Sequence, residues 1–191
     1  IKKNIINKKY DYLVKTHVFK SSFNKNLDYE DKFFVNLAKY INHKYKTLFV
    51  AHLHNDYVPL VKTIHKSSLN NIVPNELFIS FNKVIVSFTK IYLNNFKIYE
   101  CYFRDVEISK LITYELKRSG LSLSHYLHYD IYDVLLKKNK VSNVFMTFEN
   151  IAWEKRMIQS IRKISPSTVI YGFQHSVVFP AASGIFLTKK E

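Results

Sequence analysis

Two short apolar runs joined by a helix-like segment constrain the fold of this chain most. Residues 144–148 and 168–173 are rich in β-branched and aromatic side chains, a pattern typical of strands that are buried on both faces. Between them, apolar residues recur with helical spacing over 151–161, and Ser-Pro-Ser at 165–167 ends the pattern. Two strands joined through a helix are most simply parallel neighbours in one sheet. Residues 142–180 are therefore predicted to form a strand–helix–strand unit.

This unit predicts where a functional site lies. The first run is followed by Glu149 and the second by His175. Parallel strands end on the same edge of a sheet, and ligands of open α/β sheets bind outside the carboxyl ends of the strands. We expect residues 147–148 to lie beside residues 171–172, which brings Glu149 and His175 to one crevice.

The rest of the chain continues the alternation of strands and helices. Further strands are predicted at 10–19, 47–53 and 96–103, and helices follow Asp28 or Asp31 and cover 58–66, 76–94, 105–118 and 122–140. We expect a single α/β domain over residues 1–191, with a Rossmann-like, mainly parallel sheet and helices on both faces. The start at Ile1 and the apolar run near the end suggest part of a longer protein.

A polar cluster follows the strand at 47–53. His52, His54 and Asp56 form an H-L-H-N-D run, and imidazole and carboxylate groups are metal ligands. Because no second ligand cluster is evident in the sequence, we predict no metal site. We instead expect His52 and His54 to contribute to substrate binding at the carboxyl end of their strand.

Each candidate at the predicted crevice has an ordinary structural role and a functional one. Glu149 is either the cap of the following helix or a general base that takes a proton from an acceptor hydroxyl. His175 is either a hydrogen-bonded structural histidine, a general base, or a cation that stabilises a leaving phosphate. Trp153 belongs either to the core or to a face that stacks on a sugar ring. Glu154 is expected to lie on a solvated helix face.

Charge and composition limit the partners. The formal charge of +14, from 29 basic and 15 acidic residues, favours nucleic acid, anionic lipid or sugar phosphates. Lysine greatly outnumbers arginine, which argues against specific nucleic-acid recognition. With three glycines and no glycine-rich phosphate loop, the chain is not expected to bind a nucleotide cofactor by itself. A single cysteine fits a reducing compartment, and lysines interrupt the longest apolar run, 77–93.

The two turns after the predicted strands resemble a known family. The element E-N-x-x-W-E comprises Glu149, Asn150, Trp153 and Glu154, and the element G-F-Q-H-S comprises Gly172, Phe173, Gln174, His175 and Ser176. Together they resemble the capsule and lipopolysaccharide biosynthesis proteins, which are glycosyltransferase-like. The close match covers about forty residues of the chain. The two elements together at this spacing are more specific than either element alone.

The resemblance implies one lobe of a two-lobed GT-B-type architecture, in which this chain is the N-terminal, acceptor-side lobe. Catalysis is then expected from His175 and Glu149, and substrate binding from Asn150, Trp153, Glu154, Gln174 and Ser176. A glycan or lipid-linked glycan is the expected acceptor, and the nucleotide-sugar donor needs a second lobe. The expected location is the cytoplasm, with peripheral contact to an anionic membrane at its inner face. The alternatives are a non-catalytic α/β binding or assembly module of the same pathway and, less favoured, a basic nucleic-acid-binding domain.

Overall fold

The computed structural model describes residues 5, 7–54, 56–92, 100–118, 121–149 and 151–174. A five-stranded sheet forms its centre, with the strands in the order β3-β2-β1-β6-β7 and every neighbouring pair parallel. The strands of this sheet are β1 (Lys9–Val18), β2 (Thr47–Leu53), β3 (Ile72–Pro74), β6 (Lys140–Thr147) and β7 (Val169–Phe173). A separate two-stranded antiparallel hairpin consists of β4 (Tyr102–Phe103) and β5 (Val106–Glu107).

Helices cover both faces of the sheet. The α-helices are α1 (Val35–Lys44), α2 (Tyr57–Lys66), α3 (Phe81–Tyr92), α4 (Ser109–Arg118), α5 (Leu121–Lys138) and α6 (Ala152–Ile164), and two short 3-10 helices cover Lys20–Ser22 and Asn75–Phe78. One hydrophobic cluster joins the sheet to α5, α6 and the second 3-10 helix, and the other joins the opposite face to α1 and α2. The predicted Rossmann-like α/β fold is therefore confirmed. None of the helices within the described residues has the length and hydropathy that a transmembrane span requires.

The alternation of side chains along β1 separates the two faces. Leu13 packs into the cluster under α5 and α6, whereas Val14 and Val18 pack into the cluster under α1 and α2. Lys15 and His17 have the same parity as Leu13, so they extend the α5/α6 face towards the carboxyl end of the strand. The largely buried carboxyl half of this strand thus carries two basic side chains on one face.

The strand order places a topological switch point between β1 and β6. The chain runs outward from β1 through β2 to β3, returns to the other side of β1 as β6, and continues outward to β7. The crevice outside the carboxyl ends of the two central strands is the usual ligand site of such a sheet. In this chain it lies beyond Val18 and Thr147.

The predicted pairing of β6 with β7 is parallel, as expected, but its register differs by two residues. Thr147 lies opposite Phe173, and Met146 lies opposite Gly172. A Cβ atom on Gly172 would lie 2.9 Å from the Cβ atom of Phe148. Position 172 therefore requires glycine, because the Phe148 side chain lies too close to leave room for a Cβ atom.

Three local predictions were wrong. Asp105 does not begin a helix: it lies in the turn between β4 and β5, and α4 begins at Ser109, whose Oγ accepts a hydrogen bond from the backbone N–H of Cys101 at 2.8 Å. Strand β3 occurs between the predicted helices 58–66 and 76–94, where no strand was expected. A 3-10 helix with a break precedes α3, where one continuous helix was expected. Much of the predicted strand at 96–103 falls outside the described residues.

Candidate functional site at the carboxyl edge of the sheet

Three histidines meet where β1 and β2 end. His17 and His52 are register partners on the two strands, and His54 follows β2 directly. The ring centroids are 5.5 Å apart for His17 and His52, 5.0 Å for His17 and His54, and 4.7 Å for His52 and His54. All three side chains are half-buried. Nδ1 of His17 lies 2.7 Å from Nε2 of His54, so one ring donates a hydrogen bond and the other accepts it.

Lys15 and Trp153 complete this group of side chains. Lys15 is 2 % exposed, and its Nζ lies 5.2 Å from the ring centroid of Trp153, an arrangement typical of a cation–π contact. The Trp153 ring also meets the His17 ring edge-on, with centroids 6.0 Å apart. Trp153 lies in the first turn of α6, which follows β6. The site thus draws side chains from both sides of the switch point between β1 and β6.

Burial disfavours positive charge in this group. It lowers the pKa of Lys15 to about 7, against an opposing effect from the nearby carboxylate of Glu76. The pKa of His54 is also lowered, first by burial and then by the positive charge of Lys15. Burial thus disfavours the charged forms of Lys15 and His54. Any ligand that brings negative charge to this place favours protonation of the same groups.

The start of α6 is organised by Glu154. This side chain is fully buried, and its Oε2 accepts hydrogen bonds from the backbone N–H groups of Glu149 at 2.8 Å and Ile151 at 3.0 Å. The expectation that Glu154 lies on a solvated helix face was wrong. The first helical turn needs an acceptor for its backbone N–H groups, and a carboxylate three residues into the helix can fold back to supply one. The last residue of E-N-x-x-W-E is therefore a capping residue in this fold.

The structure describes some of the other predicted site residues. Glu149 is half-buried two residues after the end of β6, and Gln174 is exposed directly after β7. Asn150, His175 and Ser176 lie outside the described residues, so their predicted roles stay predictions. The pair of strands does end on one edge, as expected, and Trp153 joins the group formed by His52 and His54. In the sequence, Trp153 belongs to the E-N-x-x-W-E element, whereas His52 and His54 belong to the H-L-H-N-D run.

Lys15 and His17 were missed at the sequence level. Their signal was available: β1 reads K-Y-D-Y-L-V-K-T-H-V, and the lysine and histidine share a parity in a strand that is otherwise largely buried. Two basic side chains on the buried face of a central strand are unusual enough to mark a site.

The opposite face of the same strand end carries a saturated polar network. Asp31 is 4 % exposed; its Oδ2 accepts hydrogen bonds from Thr16 Oγ1 at 2.6 Å and Tyr29 Oη at 2.7 Å. Its Oδ1 accepts from the backbone N–H groups of Phe33 at 2.9 Å and Phe34 at 2.7 Å. Burial, and then the Asp31 charge, raise the pKa of Tyr29. Asp31 thus fastens the connection between β1 and α1 to the sheet. The prediction that Asp28 or Asp31 caps this helix was wrong, because α1 begins at Val35 after Phe34 and has no side-chain cap.

Metal ligation does not fit the described residues. Within them, no three His, Cys, Asp or Glu side chains are grouped so that they could hold a metal ion. Asp56 of the H-L-H-N-D run is exposed at the start of α2, with φ 37°. His17 and His54 contact each other directly at 2.7 Å, whereas two nitrogens at about 2.0–2.1 Å from one tetrahedral zinc ion lie further apart.

A mainly apolar cavity of about 500 Å³ lies beside the edge strand β3. Its walls come from α2, β3, the second 3-10 helix and Ile5. The lining side chains include Val58, Val61, Ile64, Ile72, Val73 and Leu77, with Lys62, His65 and Glu76 as charged or titratable members. Glu76, which lines this cavity, also acts electrostatically on Lys15.

Comparison of the chain with protein-family models, with curated proteins and with solved structures finds no match in any of the three.

Proposed function

We propose that this chain is the acceptor-side lobe of a glycosyltransferase-like protein of bacterial surface polysaccharide biosynthesis. The observation that carries the proposal is the position of Trp153 at the switch point, in contact with His17 and Lys15. An indole ring at the carboxyl edge of a parallel sheet, surrounded by hydrogen-bonding side chains, is suited to stack on a sugar ring and orient its hydroxyl groups.

The resemblance of the two turns supports the same proposal. The E-N-x-x-W-E element follows β6, the G-F-Q-H-S element begins in the last two residues of β7, and these strands are parallel neighbours. In the proposed mechanism, Glu149 or His175 takes the proton from the attacking acceptor hydroxyl, and Asn150, Gln174 and Ser176 bind the acceptor. The nucleotide sugar is supplied by a second lobe, and the basic surface favours contact with an anionic membrane.

The single tryptophan makes acceptor binding directly measurable, because the chain contains no other indole fluorophore. Oligosaccharide fragments of bacterial surface polysaccharides should change the fluorescence of Trp153 in a saturable way. Trp153→Phe should weaken binding in calorimetry by about tenfold, the scale of lost aromatic stacking. Tyr114→Phe is the matched control, since Tyr114 is an exposed aromatic residue on α4. Saturable glycan binding that is equally strong in Trp153→Phe would contradict the proposed site.

The proposed catalytic roles of His175 and Glu149 are tested by a glycan-transfer assay on the polypeptide that carries this chain. With a nucleotide sugar and a lipid-linked acceptor, His175→Ala or Glu149→Gln should reduce glycan transfer by about 10²-fold or more, the scale for loss of a general acid or base. Glu107→Gln, an exposed change on the hairpin, is the control and should leave transfer unchanged. Normal transfer in both variants would assign the two residues to scaffolding.

A non-catalytic binding or assembly module of the same pathway is the second candidate. It is favoured by large apolar side chains that stand exposed on α3 and on the hairpin, among them Phe81 at 77 % and Phe103 at 64 %, because extended exposed apolar surface marks interaction sites. Glycan binding without transfer by any nucleotide sugar, together with binding unchanged by Glu149→Gln, would favour this candidate over the transferase.

A further inference from the structure

We propose that the group formed by Lys15, His17, His52 and His54 is a phosphate subsite, so that the ligand of the carboxyl edge is a phosphorylated sugar. The inference rests on the proposed function for the sugar part of the ligand, which Trp153 contacts. The phosphate part is argued from the group itself.

The first argument is the density of nitrogen groups. Three imidazoles lie with centroids no more than 5.5 Å apart, and Lys15 stands two residues before His17 on the same face of β1. An anion at this strand edge would favour the protonated forms of these four groups, each of which can carry a positive charge. Carboxylate and phosphate groups satisfy such donors by charge-assisted hydrogen bonds.

The second argument is the burial of Lys15. Among the described residues its ammonium has one hydrogen bond, a long one of 3.4 Å to the carbonyl oxygen of its neighbour Thr16, although the side chain is 2 % exposed. Glu76, whose carboxylate acts electrostatically on Lys15, also raises the pKa of Tyr57, after burial. A buried lysine kept in a central strand with so little internal compensation costs stability, and a role in ligand binding accounts for its presence.

The third argument is proton linkage. The histidine pair shares one hydrogen bond of 2.7 Å, so it accepts one proton without losing that contact. Burial keeps the pKa of Lys15 and of His54 low. A bound phosphate favours the protonated forms, and binding should therefore take up protons from solution. The carboxylate of Glu76 and the ring of Trp153 also act on Lys15, and the rings of Phe19 and His52 lie against His54.

The test uses the 191-residue chain and four probes: inorganic phosphate, glucose, glucose 1-phosphate, and vesicles of phosphatidylcholine with or without a polyprenyl phosphate. Glucose 1-phosphate should bind at least tenfold more tightly than glucose. Its affinity should rise as the pH falls from 7.5 to 6, with proton uptake seen as a dependence of the calorimetric heat on the ionisation enthalpy of the buffer. The imidazole NMR signals of the unmodified protein should shift with inorganic phosphate.

Variants assign the effect to the group. His52→Gln and His54→Gln should each weaken glucose 1-phosphate binding by about tenfold, the scale of one charge-assisted hydrogen bond. His43→Gln should not, because His43 is exposed in the last turn of α1, which leads to the opposite edge of the sheet. Where a variant melts early, the NMR titration of the unmodified protein decides the question.

The outcomes separate the sources of the phosphate. Binding of glucose 1-phosphate supports a soluble sugar phosphate, and binding only to vesicles that contain polyprenyl phosphate supports a lipid-linked ligand. Equal affinity for glucose and glucose 1-phosphate, or vesicle binding that does not need the phosphate lipid, would overturn the inference and leave glycan binding at Trp153 intact. Loss of all glycan binding with phosphate binding retained would instead remove the proposed function.

Discussion

Neighbouring residues at the end of β1 belong to two polar groups on opposite faces of the sheet, and the groups differ in kind. Asp31, on the side of Thr16, receives four hydrogen bonds from donors inside the protein, within 2.6–2.9 Å. Lys15, on the other side, makes one long hydrogen bond within the described residues and lies against an indole ring. Asp31 and Lys15 are both buried, and within this part of the chain Asp31 has the larger number of hydrogen bonds.

The difference helps to distinguish buried polar groups that stabilise the fold from those that can bind a ligand. A buried carboxylate with both oxygens saturated stabilises the fold and leaves nothing for a ligand. A buried ammonium beside half-buried imidazoles lowers stability and retains donors that a ligand can use. Each of the following variants tests this contrast, beginning with the largest expected effect.

Asp31→Ala should cost about 4 kcal/mol of unfolding free energy, because it removes the acceptor of four hydrogen bonds at roughly 1 kcal/mol each. Urea denaturation followed by circular dichroism measures it. Glu30→Gln, next to it in the exposed pair with Lys32, should change stability by less than about 1 kcal/mol. Glycan binding per folded molecule should survive in Asp31→Ala, and a loss larger than the folded fraction explains would break the contrast.

Lys15→Met should have the opposite effect and stabilise the protein by about 1–4 kcal/mol near pH 7, because an apolar side chain of similar length avoids burying an ammonium. In the unmodified protein, unfolding free energy should rise as the pH increases from about 7 to 10. Over this range the unfolded chain keeps a proton on Lys15 that the folded protein releases, since the folded pKa is about 7.

Lys15→Met and the unmodified protein share every other titratable group. The difference between their unfolding free energies at each pH therefore reports the titration of Lys15 alone. Stability curves of Lys15→Met and unmodified protein should converge above pH 10, and Lys15→Met should bind glucose 1-phosphate more weakly. Parallel curves at all pH values would show that Lys15 keeps its proton in the folded protein and would contradict the lowered pKa.

Glu154→Ala should cost about 2 kcal/mol, because the backbone N–H groups of Glu149 and Ile151 lose their shared acceptor. Glu154→Gln keeps an amide oxygen at this position and should cost less. Thermal melts of the two variants give the comparison. If Glu154→Ala left stability unchanged and abolished glycan binding, Glu154 would belong to the site rather than to the scaffold.

The smallest expected effect is the binding of generic duplex DNA. The net charge of +14 predicts weak binding that disappears steeply as salt rises, as sequence-independent phosphate contacts do. Binding of glucose 1-phosphate should depend less on salt, because partly buried charges are screened less. Gel-shift and calorimetric titrations over the same salt range measure both. Tight, sequence-selective DNA binding at roughly 150 mM salt would favour the nucleic-acid alternative.

The sequence by itself determined the fold class and the unit around β6, α6 and β7. Continuous apolar runs, a helical repeat between them and a stop at Pro166 are local signals, and each reports burial or backbone geometry directly. The same holds for β2, whose predicted range 47–53 matches the structure. The sequence left Asp28 and Asp31 open as the cap of the next helix; in the structure Asp31 instead accepts from the backbone N–H groups of Phe33 and Phe34, which precede α1.

Only the tertiary structure decided which polar residues meet. His17 and Trp153 are 136 positions apart, and their contact depends on β6 returning beside β1, a crossing that no local pattern encodes. Burial of Glu154 and the register of β6 on β7 likewise depend on packing between distant elements. Short-range signals fix what each segment becomes. The charge, exposure and neighbours of a side chain depend on the packed whole, because desolvation is set by every element around it.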